Sequence, residues 1–138
     1  MCGIAGQIGR DPRAIQGNYA AYCAMQRTMA RRGPDQRGMY ISGRAALIHA
    51  RLAVVDLENG CQPMQLDWHG ESYTLVYNGE LYNTAELRSL LEGRGHTFTG
   101  HSDTEVVLHA YAEWGLACVD RFNGIFAFAV WETHAGKL

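Results

Sequence analysis

The chain has 138 residues with 12 basic and 14 acidic side chains, for a formal net charge of −2. That length suits one domain, and a 47% hydrophobic, 19% charged composition is too apolar for a disordered chain. The near-neutral balance gives no electrostatic case for nucleic acid or an anionic membrane, and no apolar run approaches the roughly 18 residues of a membrane span.

Residues 3–9 alternate small and apolar side chains and predict a strand. Residues 11–18 read as a polar loop with one proline. Residues 19–32 predict a helix with Tyr22, Met25 and Met29 on one face, stopped by Gly33-Pro34. Residues 37–42 and 45–50 predict two strands joined by a turn at Ser42-Gly43-Arg44. An apolar, β-branched run continues over 51–57 until Glu58-Asn59-Gly60 turns the chain. Residues 72–77 are a clear alternating strand.

Two helices follow. Asn83 with Glu86 predicts a capping box ahead of the stripe Leu87, Leu90 and Leu91. Ser102 with Glu105 repeats that signal before Val107, Ala110, Tyr111 and Trp114, and Gly115 is a C-terminal stop. Residues 116–121 suit a short helical piece. Residues 125–131 predict a strand buried on both faces. A turn over 134–137 should lead into a further strand at Leu138. Strands, then helices, then a strand again indicate a mixed α/β or α+β domain.

Four cysteines, Cys2, Cys23, Cys61 and Cys118, show no CxxC spacing, and the six histidines form no HExxH. No metal site is expected. The N-terminus has neither a basic n-region nor an apolar h-region, so reduced thiols in a cytoplasmic protein are expected. Cys23, Cys61 and Cys118 read as small buried hydrophobes. Cys2 differs. Once Met1 is removed, it carries a thiol and a free α-amine. The amine, with an ordinary pKa of about 7.7 to 8.0, is a base beside a nucleophile. Asn78 and Gly79 offer a side-chain amide and an unshielded backbone N–H for an oxyanion, although Asn-Gly is also a common turn.

Met-Cys-Gly-Ile-Ala-Gly at the start, Arg31-Arg32-Gly33-Pro34-Asp35, and Asn78-Gly79-Glu80-Leu81-Tyr82-Asn83 resemble class II glutamine amidotransferases. Residues 51–57 with Gln62-Pro63-Met64, 100–105 and 122–128 narrow the resemblance to the glutaminase domain of glutamine-hydrolysing asparagine synthetases. The match runs in order from Cys2 to the end of the chain.

The resemblance implies an α+β fold, a four-layer αββα sandwich of the N-terminal-nucleophile hydrolase type, in which Met25, Met29, Leu87, Leu90, Val107 and Trp114 pack helices onto sheets. It implies that residues 1–138 form one amidotransferase domain, incomplete at its C-terminal end, with an open sheet edge. Cys2, Asn78 and Gly79 would be catalytic. Arg51 would grip the α-carboxylate of L-glutamine, Asp103 and Glu80 the α-ammonium, and Leu52, Val54, Val55 and Asn78 would line the site. Ammonia would pass to a synthetase domain, in cis or in trans, that makes asparagine from aspartate. ATP and Mg2+ are expected only there, because this chain has no Gly-rich phosphate loop. A homo-oligomer is compatible with the resemblance. A split subunit feeding another amide-forming synthetase, and a non-catalytic glutamine-binding or partner-binding remnant, are the alternative readings.

Overall fold

A computed structural model of the chain describes residues 2–54, 56 and 58–138. The elements are β1 (Gly3–Ile8), α1 (Pro12–Gly17), α2 (Tyr19–Thr28), β2 (Gln36–Ser42), β3 (Ala45–Arg51), β4 (Met64–Trp68), β5 (Glu71–Leu81), α3 (Thr84–Glu92), α4 (Asp103–Trp114), a 3-10 segment (Gly115–Arg121) and β6 (Gly124–Glu132). The strands form two antiparallel three-stranded sheets, ordered β1-β3-β2 and β4-β5-β6.

The period-two alternation of the central strands sorts the chain into layers. On β3, Ala46 and Ile48 turn outward onto Ile15 of α1 and Tyr22, Met25 and Met29 of the α2 region. Ala45 and Leu47 turn inward and meet Val76 of β5 and Ala129 and Trp131 of β6. The opposite faces of β5 and β6 place Leu75, Tyr77 and Val130 against Leu87, Leu91, Val106, Val107 and Ala110 of α3 and α4. Two sheets face each other between helical layers, so the fold is an αββα α+β sandwich.

Several local expectations change. Residues 12–17 are helical rather than loop. The Asp11 side chain caps the Arg13 N–H, and Pro12 sits where a missing N–H costs nothing. α2 ends at Thr28, four residues before the expected stop. β4 is not among the expected strands, although Met64, Leu66 and Trp68 alternate with Gln65 and Asp67; it pairs antiparallel with β5. The Asn83–Glu86 capping box does not form. The Asn83 amide instead donates to the Arg121 carbonyl and accepts from the Asn123 N–H, stitching α3 to the start of β6. Ser102 does cap α4 through the Glu105 N–H, but the Glu105 carboxylate accepts from the Thr99 and Gly100 N–H groups instead of returning to Ser102.

Leu90 points outward and is 47% exposed, leaving Leu87 and Leu91 to pack α3. α4 is buried on every side from Thr104 to Tyr111, not along one stripe. β6 is an edge strand, and Ile125 at its start is 69% exposed, so it is not buried on both faces. The turn over 134–137 closes through a bridge between Glu132 and Lys137. Cys118 is buried as expected, whereas Cys23 is half-buried and Cys61 exposed. β3 ends at Arg51, the first residue of the expected apolar run. Met1, Val55 and Leu57, and with them the expectations on Met1 removal and Val55, lie outside the described residues.

Candidate active site

β5 is longer than β4, and that mismatch builds the site. The β4 ladder ends at Met64, opposite Leu75, while β5 continues to Leu81. Pro63 has no N–H with which to extend the ladder. The β5–β6 register is continuous from Tyr73 to Leu81. In such a ladder, outward-pointing backbone groups recur at every second residue. Three N–H groups therefore project in series from the uncovered edge of β5.

The first, from Tyr77, donates to Gln62 Oε1 at 2.6 Å. The third, from Leu81, donates to Asp103 Oδ2 at 3.2 Å. Alternation aims the second, from Gly79, the same way, between these two anchors. Glycine is required there by close approach, because a Cβ would lie 2.5 Å from the Ile125 carbonyl oxygen across the β5–β6 pair. Asn78 and Glu80 alternate to the other face of the strand, toward the β1-β3-β2 sheet, and the Asn78 amide has no partner among the described residues.

That sheet brings the cysteine. Gly3 pairs with Ala50, so Cys2 stands beside the end of β3. Its Sγ accepts from the Leu52 N–H at 3.4 Å, and its carbonyl accepts from Arg32 Nε at 3.2 Å. Asp35 holds the next residues, its N–H on the Arg51 carbonyl and its Oδ2 accepting from the Ala53 N–H at 2.8 Å.

Arg51 is 5% exposed. Its Nη1 donates to Gln36 Oε1 at 3.3 Å and its Nη2 to the Asp56 carbonyl at 2.6 Å. The Asp56 carboxylate accepts from the His101 and Asn59 N–H groups. These bonds, led by the one from His101, hold its pKa below the ordinary carboxylate value. The carboxylate thus fastens the loop carrying the Arg51 anchor to the loop preceding α4.

Asp103 occupies the first turn of α4, where the helix dipole favours a carboxylate. Its Oδ2 accepts from both the Tyr77 phenol at 2.9 Å and the Leu81 N–H. Burial, followed by the Asp103 charge, raises the Tyr77 pKa far above its ordinary value, so the phenol stays a donor. Asp103 Oδ1 has no partner among the described residues.

Cys2, Arg51, Leu52, Val54, Asn78, Gly79, Glu80 and Asp103 all border one cavity of about 410 Å³. Every candidate site residue within the described part of the chain is therefore brought to one place, although Val54 is 77% exposed at the rim. Gln62, Tyr77 and Thr104 also border it and were not singled out as site residues. Gln62 has a signal in the Gln-Pro-Met motif, and Tyr77 directly precedes Asn78. Thr104, which accepts from Gln62 Nε2 at 3.2 Å, has none.

A sequence profile described as a glutamine amidotransferase domain matches residues 1–138. A glutamine-hydrolysing asparagine synthetase of Bacillus subtilis is 48% identical over 138 residues, covering 100% of this chain and 22% of that protein. An asparagine synthetase of Arabidopsis thaliana is 39% identical over 136 residues, covering 97% of this chain and 22% of that one. The chain thus spans about a fifth of the length of these relatives. Among solved structures, glutamine phosphoribosylpyrophosphate amidotransferase from B. subtilis superposes with a TM-score of 0.56 at 29% identity, covering 67% of this chain and 22% of that one. The fold is that of the N-terminal-nucleophile hydrolase amidotransferases, and the chain belongs to the glutamine amidotransferase domain family.

Proposed function

We propose that this domain hydrolyses the side-chain amide of L-glutamine to glutamate and ammonia, with Cys2 as nucleophile. The observation that carries this reading is the convergence of a thiol, an arginine, a carboxylate and two oxyanion donors on one cavity.

With Met1 removed, the Cys2 α-amine takes the thiol proton as Sγ attacks the amide carbon. The Leu52 N–H holds Sγ at the edge of the cavity. The Asn78 amide and the Gly79 N–H receive the tetrahedral oxyanion. The amine then passes its proton to the leaving nitrogen, ammonia departs, and water hydrolyses the γ-glutamyl thioester.

Free glutamine is a zwitterion. Arg51, fixed through Gln36 and Asp56, receives its α-carboxylate. Asp103, with Oδ2 already engaged, offers Oδ1 to the α-ammonium, and Glu80 adds a second negative charge at the exposed side. Leu52 and Val54 line the site, partly through backbone atoms.

The ammonia is destined for ATP-dependent synthesis of asparagine from aspartate by a synthetase domain, in cis or in trans. The similarity to asparagine synthetases along the whole chain supports this acceptor. ATP and Mg2+ act with that synthetase domain. A cytoplasmic setting fits the four free thiols. Intact-mass measurement of the N-terminus combined with a glutaminase assay tests the core of the reading. Ammonia release should require a mature Cys2 and vanish in Cys2→Ala, and release by Cys2→Ala would refute the mechanism.

A further inference from the structure

Beyond Met64, the backbone of Tyr77 has lost its neighbouring strand. Gln62 replaces half of it by accepting from the Tyr77 N–H. The other half is replaced from the opposite sheet, where the Tyr77 carbonyl accepts from His49 Nε2 at 3.1 Å. A carbonyl oxygen only accepts, so Nε2 carries the proton. Nδ1 is then a bare lone pair, and it is buried without a partner among the described residues. His49 is 0% exposed. Burial, with a smaller push from the Arg51 charge, lowers its pKa to about 4 and keeps the ring neutral near pH 7.

Packing alone gives no reason for a histidine here. An apolar side chain of similar size would fill the same layer without leaving a bare nitrogen in it. The contact joins a strand of one sheet to a strand of the other, β3 to β5. On β3, His49 pairs with Ile4, two residues after Cys2. On β5, it grips the carbonyl of the peptide whose N–H belongs to Asn78. Sheet space is tight around this point, since a Cβ on Gly38, the other partner of His49, would lie 1.8 Å from the Gln62 carbonyl oxygen.

We propose that His49 is a positioning residue for the oxyanion donors: its Nε2–H fixes the Tyr77–Asn78 peptide against the sheet that carries Cys2, and so sets the spacing between the nucleophile and the Asn78–Gly79 pair. The proposal rests on the glutaminase reading. It assigns His49 no proton transfer and no contact with glutamine. The grip on the substrate is made by the Arg51 and Asp103 side chains themselves, and the Leu81 N–H still holds Asp103 Oδ2 when His49 is changed.

The test uses the complete polypeptide containing this domain, with His49→Leu and His49→Gln. Gln Nε2 extends about as far from the backbone as the ring Nε2 and keeps the donor. A misplacement of about 1 Å costs on the order of 100-fold in rate, so His49→Leu should lower kcat for glutamine hydrolysis by roughly 10- to 100-fold. KM should stay within about threefold, because the substrate clamp is intact. His49→Gln should recover most of kcat. Alkylation of Cys2 by iodoacetamide, followed by peptide mass spectrometry, has no oxyanion and should proceed at the wild-type rate in both variants.

Wild-type kcat in His49→Leu overturns the proposal. So does slowed Cys2 alkylation alongside the loss of kcat, which would show general disruption, or a Gln variant no better than Leu. A wild-type protein with no Cys2-dependent glutaminase activity would instead overturn the reading on which the proposal rests.

Discussion

The Tyr77 phenol donates a 2.9 Å hydrogen bond to Asp103 Oδ2, tying the uncovered end of β5 to the first turn of α4. The Leu81 N–H reaches the same oxygen, so the carboxylate is oriented before any substrate arrives. Tyr77→Phe removes one of these two donors and leaves the ring in the core. A hydrogen bond to a charged group contributes about 1.5 to 3 kcal/mol, and the remaining Leu81 bond limits the loss. The expected result in steady-state glutaminase kinetics is a rise of about 3- to 10-fold in glutamine KM with kcat nearly constant. Asp103→Asn, which removes the charge itself, should raise KM further.

The two oxyanion donors are expected to fail in different ways. Asn78→Ala deletes an amide that has no partner among the described residues, so the fold has little to lose. Its kcat should fall by about 100- to 1,000-fold with KM little changed, and a thermal melt should match wild type. Gly79→Ala leaves the N–H in place but sets a Cβ 2.5 Å from the Ile125 carbonyl and 2.8 Å from Phe126 Cα. Strand β6 must move to admit it. This variant should lose stability together with activity, visible as a lowered melting temperature.

Arg51→Lys keeps the positive charge and discards the planar fork. The guanidinium reaches Gln36 and the Asp56 carbonyl at once, which a single ammonium cannot reproduce with the same geometry. Glutamine affinity, measured by isothermal titration with a Cys2→Ala background to prevent turnover, should fall by about 10-fold or more. Unchanged affinity would remove Arg51 from the substrate clamp.

The sequence carried most of this site because its key residues are punctuated locally. Cys2 is set by its place near the terminus, Asn78-Gly79 by composition, and Arg51 and Asp103 by motif. The order of layers came from the resemblance to the amidotransferase family, because alternation and helix stripes alone indicate only a mixed α/β or α+β domain. What was not readable depends on partners distant in the chain. Residues 64–68 alternate apolar and polar side chains, Met-Gln-Leu-Asp-Trp, but the run is short, and its pairing with β5 fixes it as a strand. Asn83 resembles a helix cap, yet its amide is recruited by Arg121 and Asn123. His49 reads as one more residue of an apolar strand, and only the shortness of β4 gives its ring nitrogen a backbone carbonyl to hold.

Acid should destabilise the domain well above the range where carboxylates titrate. His49 and His109 both have pKa values lowered to about 4, chiefly by burial. For His109, the neighbouring His96 ring, Nδ1 to Nδ1 at 2.8 Å, adds to the effect, and Glu105 opposes it. Glu113 accepts from His96 Nε2 at 3.1 Å, Arg88 also lowers the His109 value, and Arg51 is the charge facing His49. In the unfolded chain a histidine titrates near 6.5. Between about pH 6.5 and 4, the unfolded state therefore binds more protons than the folded one. Stability contributed by these neutral rings is full above pH 6.5 and is lost as the pH falls toward 4. The slope approaches about 1.4 kcal/mol per pH unit for each ring. Ring signals in 1H–13C spectra should show both residues neutral down to about pH 5, and denaturation midpoints should drop over the same window. His49→Leu should make that drop shallower, because one of the two proton-binding groups is gone from the unfolded state. An unaltered slope in that variant would show that His49 is not buried in neutral form.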